Sequence, residues 1–205
     1  MTTEDGRRQR GDQSRRDVME RAVNLATIEG LEGLSIGGLA AETSKSKGGI
    51  VALFGSKEQL QLATVEAARE IFTHTVIRPA LESPRGLARV RALVEAWLDY
   101  SEGRIFEGGC FFAAATNEVA SRPGPVRDAV AAAITDWRGF LAEALRRAIA
   151  LEELDPGTDP EQLAFEISAM LDAANATSLL GTSTAPYARA RLAVTRLLDD
   201  ARSRS

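Results

Sequence analysis

Apolar residues recur at three- and four-residue spacing along nearly the whole chain, and no stretch sustains a period-two alternation, so the pattern predicts an all-α fold. Val18, Ala22, Leu25 and Ala26 form the stripe of a first helix. It starts near Ser14, with Asp17 completing a capping-box-like arrangement, and Gly30 is its expected C-cap. Ser35 opens a short helix with Ile36, Leu39 and Ala40 on one side, ending near Glu42. A tight Thr43-Ser44-Lys45 turn follows, and Ser46 caps a second short helix running to about Leu53. Ser56-Lys57-Glu58-Gln59 is a capping box that opens a long helix with Leu60, Ala67 and Ile71 on its inner face, and Pro79 is expected to end it.

The rest of the chain is read the same way. Ser83-Pro84 is an expected N-cap with proline at the first helical position, opening a helix through Tyr100. Gly108-Gly109 precedes a helix over Cys110–Ser121, and Arg122-Pro123-Gly124-Pro125 breaks the chain. A long helix runs from Val126 to about Leu151. Asp159-Pro160-Glu161-Gln162 caps a helix that carries Leu163, Ile167, Met170, Leu171, Ala174 and Ser178 and ends at Gly181. The final helix, near Pro186 to Ala201, bears Tyr187, Ala190, Val194, Leu197 and Leu198. Short helices come first and long ones after. The expected organisation is a flexible basic arm over 1–13, a small helical domain over 14–60 and a larger one over 61–205, with the long fourth helix bridging the two.

Composition narrows the function classes. A chain of 205 residues buries a core without staples. It has no run of about 18 apolar residues and no leader-like apolar region near the N-terminus, so neither a membrane span nor a secretory signal is expected. One cysteine and one histidine exclude an intramolecular disulfide, argue against a structural zinc site and fit a reducing cytoplasm. Net charge is −4, yet residues 1–60 carry nine cationic and nine acidic side chains, so the excess acid lies beyond them. The three lysines, Lys45, Lys47 and Lys57, fall within thirteen residues, and Arg7, Arg8, Arg10, Arg15 and Arg16 cluster near the start. A local basic surface on an acidic protein suits nucleic acid; a solvated tail and turn would look the same by charge alone.

Two short helices, 35–42 and 46–53, joined by a three-residue turn have the dimensions of a helix-turn-helix. Lys45-Ser46-Lys47-Gly48-Gly49 places small and cationic residues at a helix N-terminus, where free N–H groups and the dipole favour phosphate. Ile50, Leu53 and Phe54 can anchor the other side on Leu25, Ile36 and Leu39. Such a helix suits a major groove; a plain three-helix packing motif is the other reading.

At these residues the chain resembles a family. Ala22…Gly30, Leu34-Ser35-Ile36, Leu39-Ala40 and Ser46-Lys47-Gly48-Gly49-Ile50-Val51-Ala52-Leu53-Phe54-Gly55-Ser56-Lys57-Glu58-Gln59-Leu60 look like the TetR family of one-component transcriptional regulators. The segments Phe106-Glu107-Gly108-Gly109-Cys110-Phe111-Phe112 and Arg122-Pro123-Gly124-Pro125-Val126-Arg127-Asp128 are similar to the ligand-binding half of a subset of that family. The resemblance implies about nine helices, with a three-helix DNA-binding domain followed by a helical ligand-binding and dimerisation domain. It implies a cytoplasmic homodimer that binds a palindromic double-stranded operator as a repressor and is released by a small, largely apolar effector. Carried over, Ser35 and Lys57 would touch phosphate, while Lys45, Ser46, Lys47, Gly48, Gly49 and Val51 would face the groove, with the N-terminal arginines reaching the minor groove. The family usually has glycine where Ser44 stands, an aromatic at Val51 and histidine at Leu53.

Trp97, Phe111, Asn117, Trp137 and Met170 are the candidate effector residues, apolar walls with a polar member; Asn175 is a second polar candidate. Leu171, Ala174, Ser178, Ala190, Val194 and Leu197 are the candidate dimer interface, because stripes with small residues can pack two-fold into a four-helix bundle. No catalytic triad, paired-carboxylate or phosphate-loop pattern is present, so no enzyme, metal or cofactor is expected. The competing readings are a helical ligand-binding protein without DNA function and an enzyme using His74 and Cys110.

Overall fold

A computed structural model describes the backbone of residues 3–181 and 183–202 and the side chains of 15–181 and 183–202. Among the described residues the regular structure is helical throughout. In chain order the helices are α1 (Thr3–Gly33), α2 (Ile36–Glu42), α3 (Lys47–Phe54), α4 (Lys57–Phe72), α5 (Arg78–Leu81), α6 (Leu87–Glu102), α7 (Phe111–Val119), α8 (Pro125–Ala150), α9 (Pro160–Gly181) and α10 (Ala185–Asp200). The chain forms two compact units. The first holds the residues up to Glu70 together with Phe106–Val130; the second holds Ile71–Ile105 and the residues from Ala131 onward. The segment Phe106–Val130, expected with the larger domain, thus packs with the N-terminal helices.

In the first unit, Val18, Met19, Ala22, Leu34, Leu39, Ala40, Ile50, Phe54 and Leu60 make one core, with Leu25, Ile36 and Leu53 packed against it. The expected apolar side of α3 is therefore the side that anchors it. α1 begins at Thr3 rather than near Ser14, and its regular turn breaks at Gly30 (φ 80°, ψ 161°). That left-handed conformation favours glycine, and a Cβ there would also stand 2.9 Å from the Glu118 carboxylate. α7 packs along α1. Two joints lock the pair: Asn24 and Glu107 exchange hydrogen bonds (Asn24 Nδ2 to Glu107 Oε1, 3.0 Å; Glu107 N–H to Asn24 Oδ1, 2.9 Å), and the Gly108 N–H donates to Thr27 Oγ1. Gly108 lies so close to the Thr27 carbonyl that no side chain fits between them.

In the second unit, Pro79 does not end the helix that begins with α4. A π-helical turn over Thr73–Ile77 intervenes, in which the Arg78 N–H reaches back five residues to the Thr73 carbonyl. The wider turn admits the proline, and α5 continues to Leu81. Counting α4, this turn and α5 as one element gives nine helices among the described residues, the number the resemblance implies. α6 begins at Leu87, not at Ser83-Pro84, because the cap is remote: the Glu153 carboxylate accepts the Leu87 N–H at 2.7 Å. α9 packs lengthwise on α10, and both meet α6. Leu93, Trp97, Leu98, Leu141, Leu145, Ile167, Leu171, Val194 and Leu198 are buried in this unit.

Candidate nucleic-acid interface and effector site

Three serines start the three helices around the turn. Ser35 Oγ accepts the Gly38 N–H at 3.0 Å, Ser46 Oγ accepts the Gly49 N–H at 3.0 Å, and Ser56 Oγ accepts the Gln59 N–H at 3.1 Å. Each cap uses an oxygen lone pair and leaves the hydroxyl proton to donate, as a phosphate contact from Ser35 or Ser46 requires. Between α2 and α3, Ser44 takes φ 52°, the left-handed position at which the family carries glycine. Lys47, Gly48, Val51 and Ala52 are exposed on α3 while Ile50 and Phe54 are buried, so the short helix has one face free and one anchored. The Lys47 ammonium lies 3.6 Å from the position a Cβ on Gly37 would occupy, which sets it beside the first turn of α2 and the Ser35 cap. Lys45 is half-buried.

The far end of α3 is held by one of the clustered N-terminal arginines. Arg15 on α1 donates to the Leu53 carbonyl at 3.3 Å, and its guanidinium lies over the Phe54 ring, 5.0 Å from the centroid. A cation over the last carbonyls of a helix complements their partial negative charge. The side chains of Arg7, Arg8 and Arg10 lie outside the described residues.

Lys57, expected on phosphate, already has protein partners. Its ammonium donates to the Glu32 carbonyl at 2.6 Å and to Glu32 Oε2 at 3.1 Å. Gln61 Nε2 donates to the Leu31 carbonyl at 2.7 Å and to Glu32 Oε1 at 3.3 Å, and Arg122 Nη1 lies 3.7 Å from Glu32 Oε1. The Lys57 bond, then the Gln61 bond, hold the Glu32 carboxyl below the usual carboxylate range despite some desolvation. On the other side, the Leu31 and Glu32 N–H groups both donate to the Glu118 carboxylate, at 2.6 and 2.7 Å. None of these partners follows from local sequence; acidic residues past a helix-ending glycine are the only hint.

The five effector candidates divide between the units. Phe111 and Asn117 are in the first, where Phe111 meets Phe112 edge-on and Asn117 is exposed. Trp97, Trp137 and Met170 are in the second. There Trp97 is buried, Trp137 and Met170 are half-buried, and Phe72 makes edge-to-face contacts with Trp137 at 5.3 Å and Tyr100 at 5.5 Å. The same unit holds a buried polar network, whose members Ser101 and Arg104 no sequence pattern singles out. Ser101 Oγ donates to Asn175 Oδ1 and pairs with the Tyr187 hydroxyl, both at 2.9 Å. Ser178 bonds the same hydroxyl, and Arg104 donates to both Tyr187 and Ser178.

Of the dimer candidates, Leu171, Ala174, Ser178, Ala190 and Val194 are buried and Leu197 is half-buried within the chain itself, in which α9 packs on α10. The apolar side chains left exposed on this part of the second unit are Phe140, Phe165, Leu179, Leu180 and Leu192, with Phe165 at 51% and Leu180 at 91%. Arg138 covers the Phe165 ring at 5.5 Å. Nearby in sequence, the Asp172 carboxyl is pushed up by desolvation, with Arg138 pulling it back down, although the residue keeps open surface.

His74 is exposed in the π turn and Cys110 is buried at the start of α7; they belong to different units. Among the described residues no three His, Cys, Asp or Glu side chains group as a metal site, and no helix is long and apolar enough to cross a membrane.

Residues 86–194 match the family model described as the tetracyclin repressor-like, C-terminal domain. A solved TetR transcriptional regulator from Chloroflexus aurantiacus is 27% identical, with a TM-score of 0.84 over 93% of this chain and 95% of that one. A TetR-family transcriptional regulator from Streptomyces coelicolor is 22% identical, with a TM-score of 0.80 over 94% of this chain and 97% of that one. AibR, solved in complex with isovaleryl coenzyme A and operator DNA, is 24% identical, with a TM-score of 0.64 over 79% of this chain and 85% of that one. At these identities the last two show the fold alone. No curated protein sequence matches significantly.

Proposed function

Since the chain belongs to the TetR family of transcriptional regulators, we propose that it is a ligand-responsive repressor that binds a palindromic operator in the cytoplasm as a homodimer. The observation that carries this reading is the free face of α3. Lys47, Gly48 and Val51 stand exposed beside the capped first turn of α2, while Ile50 and Phe54 fix the helix from behind. Ser35, Ser46 and Lys47 meet backbone phosphates, Lys45 supplies further positive charge, and Gly48, Gly49 and Val51 let the helix approach the base edges closely. Lys57 meets phosphate once its pairing with Glu32 is exchanged.

The effector enters beside the Phe72–Tyr100–Trp137 cluster, with Trp97 and Met170 as further lining; Phe111 and Asn117 are not assigned to it. Two copies join through the exposed apolar residues of α8, α9 and α10, Phe140, Phe165, Leu180 and Leu192, instead of the buried stripe. A patch of this kind on a monomer marks an interface. The regulatory role, without any enzymatic step, accords with the family.

Selection of bound duplexes from a random pool tests the reading. The expected product is a palindrome whose half-sites lie about one helical turn apart, roughly 34–36 Å, or a multiple of it. Lys47→Ala should weaken binding to every selected sequence alike. Recovery of no common sequence would reject the reading.

A further inference from the structure

Glu32 sits where a DNA-binding surface would least be expected to hold an acid. We propose that its carboxylate is a built-in phosphate mimic that occupies Lys57 and Arg122 and sets the chain's sequence-independent affinity for DNA below what its cations would otherwise give. The inference rests on the DNA-binding reading above and adds a restraint on the same surface.

Three features separate Glu32 from an ordinary surface ion pair. First, it collects donors from one helix and a loop: Lys57 at 3.1 Å and Gln61 at 3.3 Å from α4, and Arg122 at 3.7 Å from beyond α7. Second, its backbone is fixed on both sides. Its N–H is held by Glu118 at 2.7 Å, its carbonyl by Lys57 at 2.6 Å, and the preceding carbonyl by Gln61 at 2.7 Å. The carboxylate therefore stays tethered within reach of Lys57 when a phosphate approaches. Third, Lys57, Glu32 and Arg122 keep 46%, 50% and 61% of their side-chain surface open, so the site is wet and accessible to a competing anion. A phosphate reaching Lys57 must displace Glu32 or sit within the repulsive field of its charge. Such exposed pairs contribute little to folding, which leaves Glu32 free to act on binding.

The test uses the full chain and a fluorescently labelled duplex of random sequence, with anisotropy read over a series of salt concentrations. Glu32→Gln keeps a side-chain oxygen to accept from Gln61 Nε2, and keeps the backbone bonds, but removes the charge. It should bind the random duplex about three- to tenfold more tightly at low salt, the size of one nearby charge repulsion in a watery setting. Its log–log salt slope should steepen by about one unit, the signature of one additional phosphate contact. Glu32→Asp, which keeps the charge, should stay near wild type. Adding Lys57→Ala to Glu32→Gln should abolish the gain. Unchanged or weaker binding by a folded Glu32→Gln chain would overturn the proposal while leaving the DNA-binding reading intact. A wild-type chain that fails to bind random duplex at low salt would overturn both.

Discussion

Replacing Glu118 by alanine tests whether the carboxylate on α7 is what shapes the joint between α1 and α2. After Gly30 leaves the helical region, the next two N–H groups point away from any α-helical partner. Both are taken by Glu118, at 2.6 and 2.7 Å, and Leu31 itself is buried. These are short, charge-assisted bonds, a class worth about 1.5–3 kcal/mol each when fully buried. The Glu32 bond is exposed to solvent and water replaces much of it, so most of the loss falls on the Leu31 bond. Glu118→Ala should therefore cost about 2–3 kcal/mol. Glu118→Gln retains one acceptor oxygen without charge and should cost about 1 kcal/mol. For a chain of this size the alanine loss corresponds to a fall in Tm of about 4–12 °C. Chemical denaturation followed by circular dichroism gives the free energies, and amide exchange should show the Leu31 and Glu32 N–H groups losing protection ahead of the α1 core. A loss below about 0.5 kcal/mol in the alanine variant, the range of an unengaged surface position, would refute the reasoning.

Ser44→Gly should stabilise the chain by about 0.5–1 kcal/mol in the same denaturation assay, because Ser44 holds a left-handed φ of 52° that costs a side chain but not glycine. Phe165→Glu should turn a sedimenting dimer into a folded monomer, whereas Leu171→Arg should unfold the chain, since Leu171 is fully buried between α9 and α10; a folded Leu171→Arg monomer would reverse the assignment of the two faces. Asp172→Asn should raise stability at pH 7. The folded-state pKa of Asp172 is raised, so the stability of its neutral form is fully present below the ordinary carboxylate pKa of about 4 and is lost as pH rises through the raised value. The advantage of the asparagine should accordingly vanish in acid, and equal unfolding curves of the two proteins at pH 7 would contradict it.

What the sequence shows and what it hides divide along a physical line. Helices, their serine caps and the two-sided character of α3 are local properties: Ser35, Ser46 and Ser56 each bond an N–H three residues ahead, and Ile50 and Phe54 repeat at helical spacing. Two of the features that escape it are remote pairings. Glu153 caps α6 from 66 residues away, a partner that the local Ser83-Pro84 signal does not reveal. Glu118 closes α1 from 87 residues away. Pro79 read as a stop because nothing in its neighbours announces a π turn that widens the helix to admit it.

The expected dimer stripe is a separate matter. Leu171, Ala174 and Ser178 on α9 and Ala190 and Val194 on α10 are buried within one chain, in which α9 packs on α10. Periodicity reveals that a face must be covered; it carries no information on whether the cover belongs to the same chain or to another. The discriminating residues are those outside the main stripe. Phe165 and Leu180 lie on the opposite side of α9 from Leu171 and Ser178, and Leu192 on α10 stands between Ala190 and Val194 but points away from them to solvent. A helix with large apolar residues on both faces has two surfaces to cover. Packing within the chain covers one, and the face bearing Phe165 is the one we propose meets a second chain.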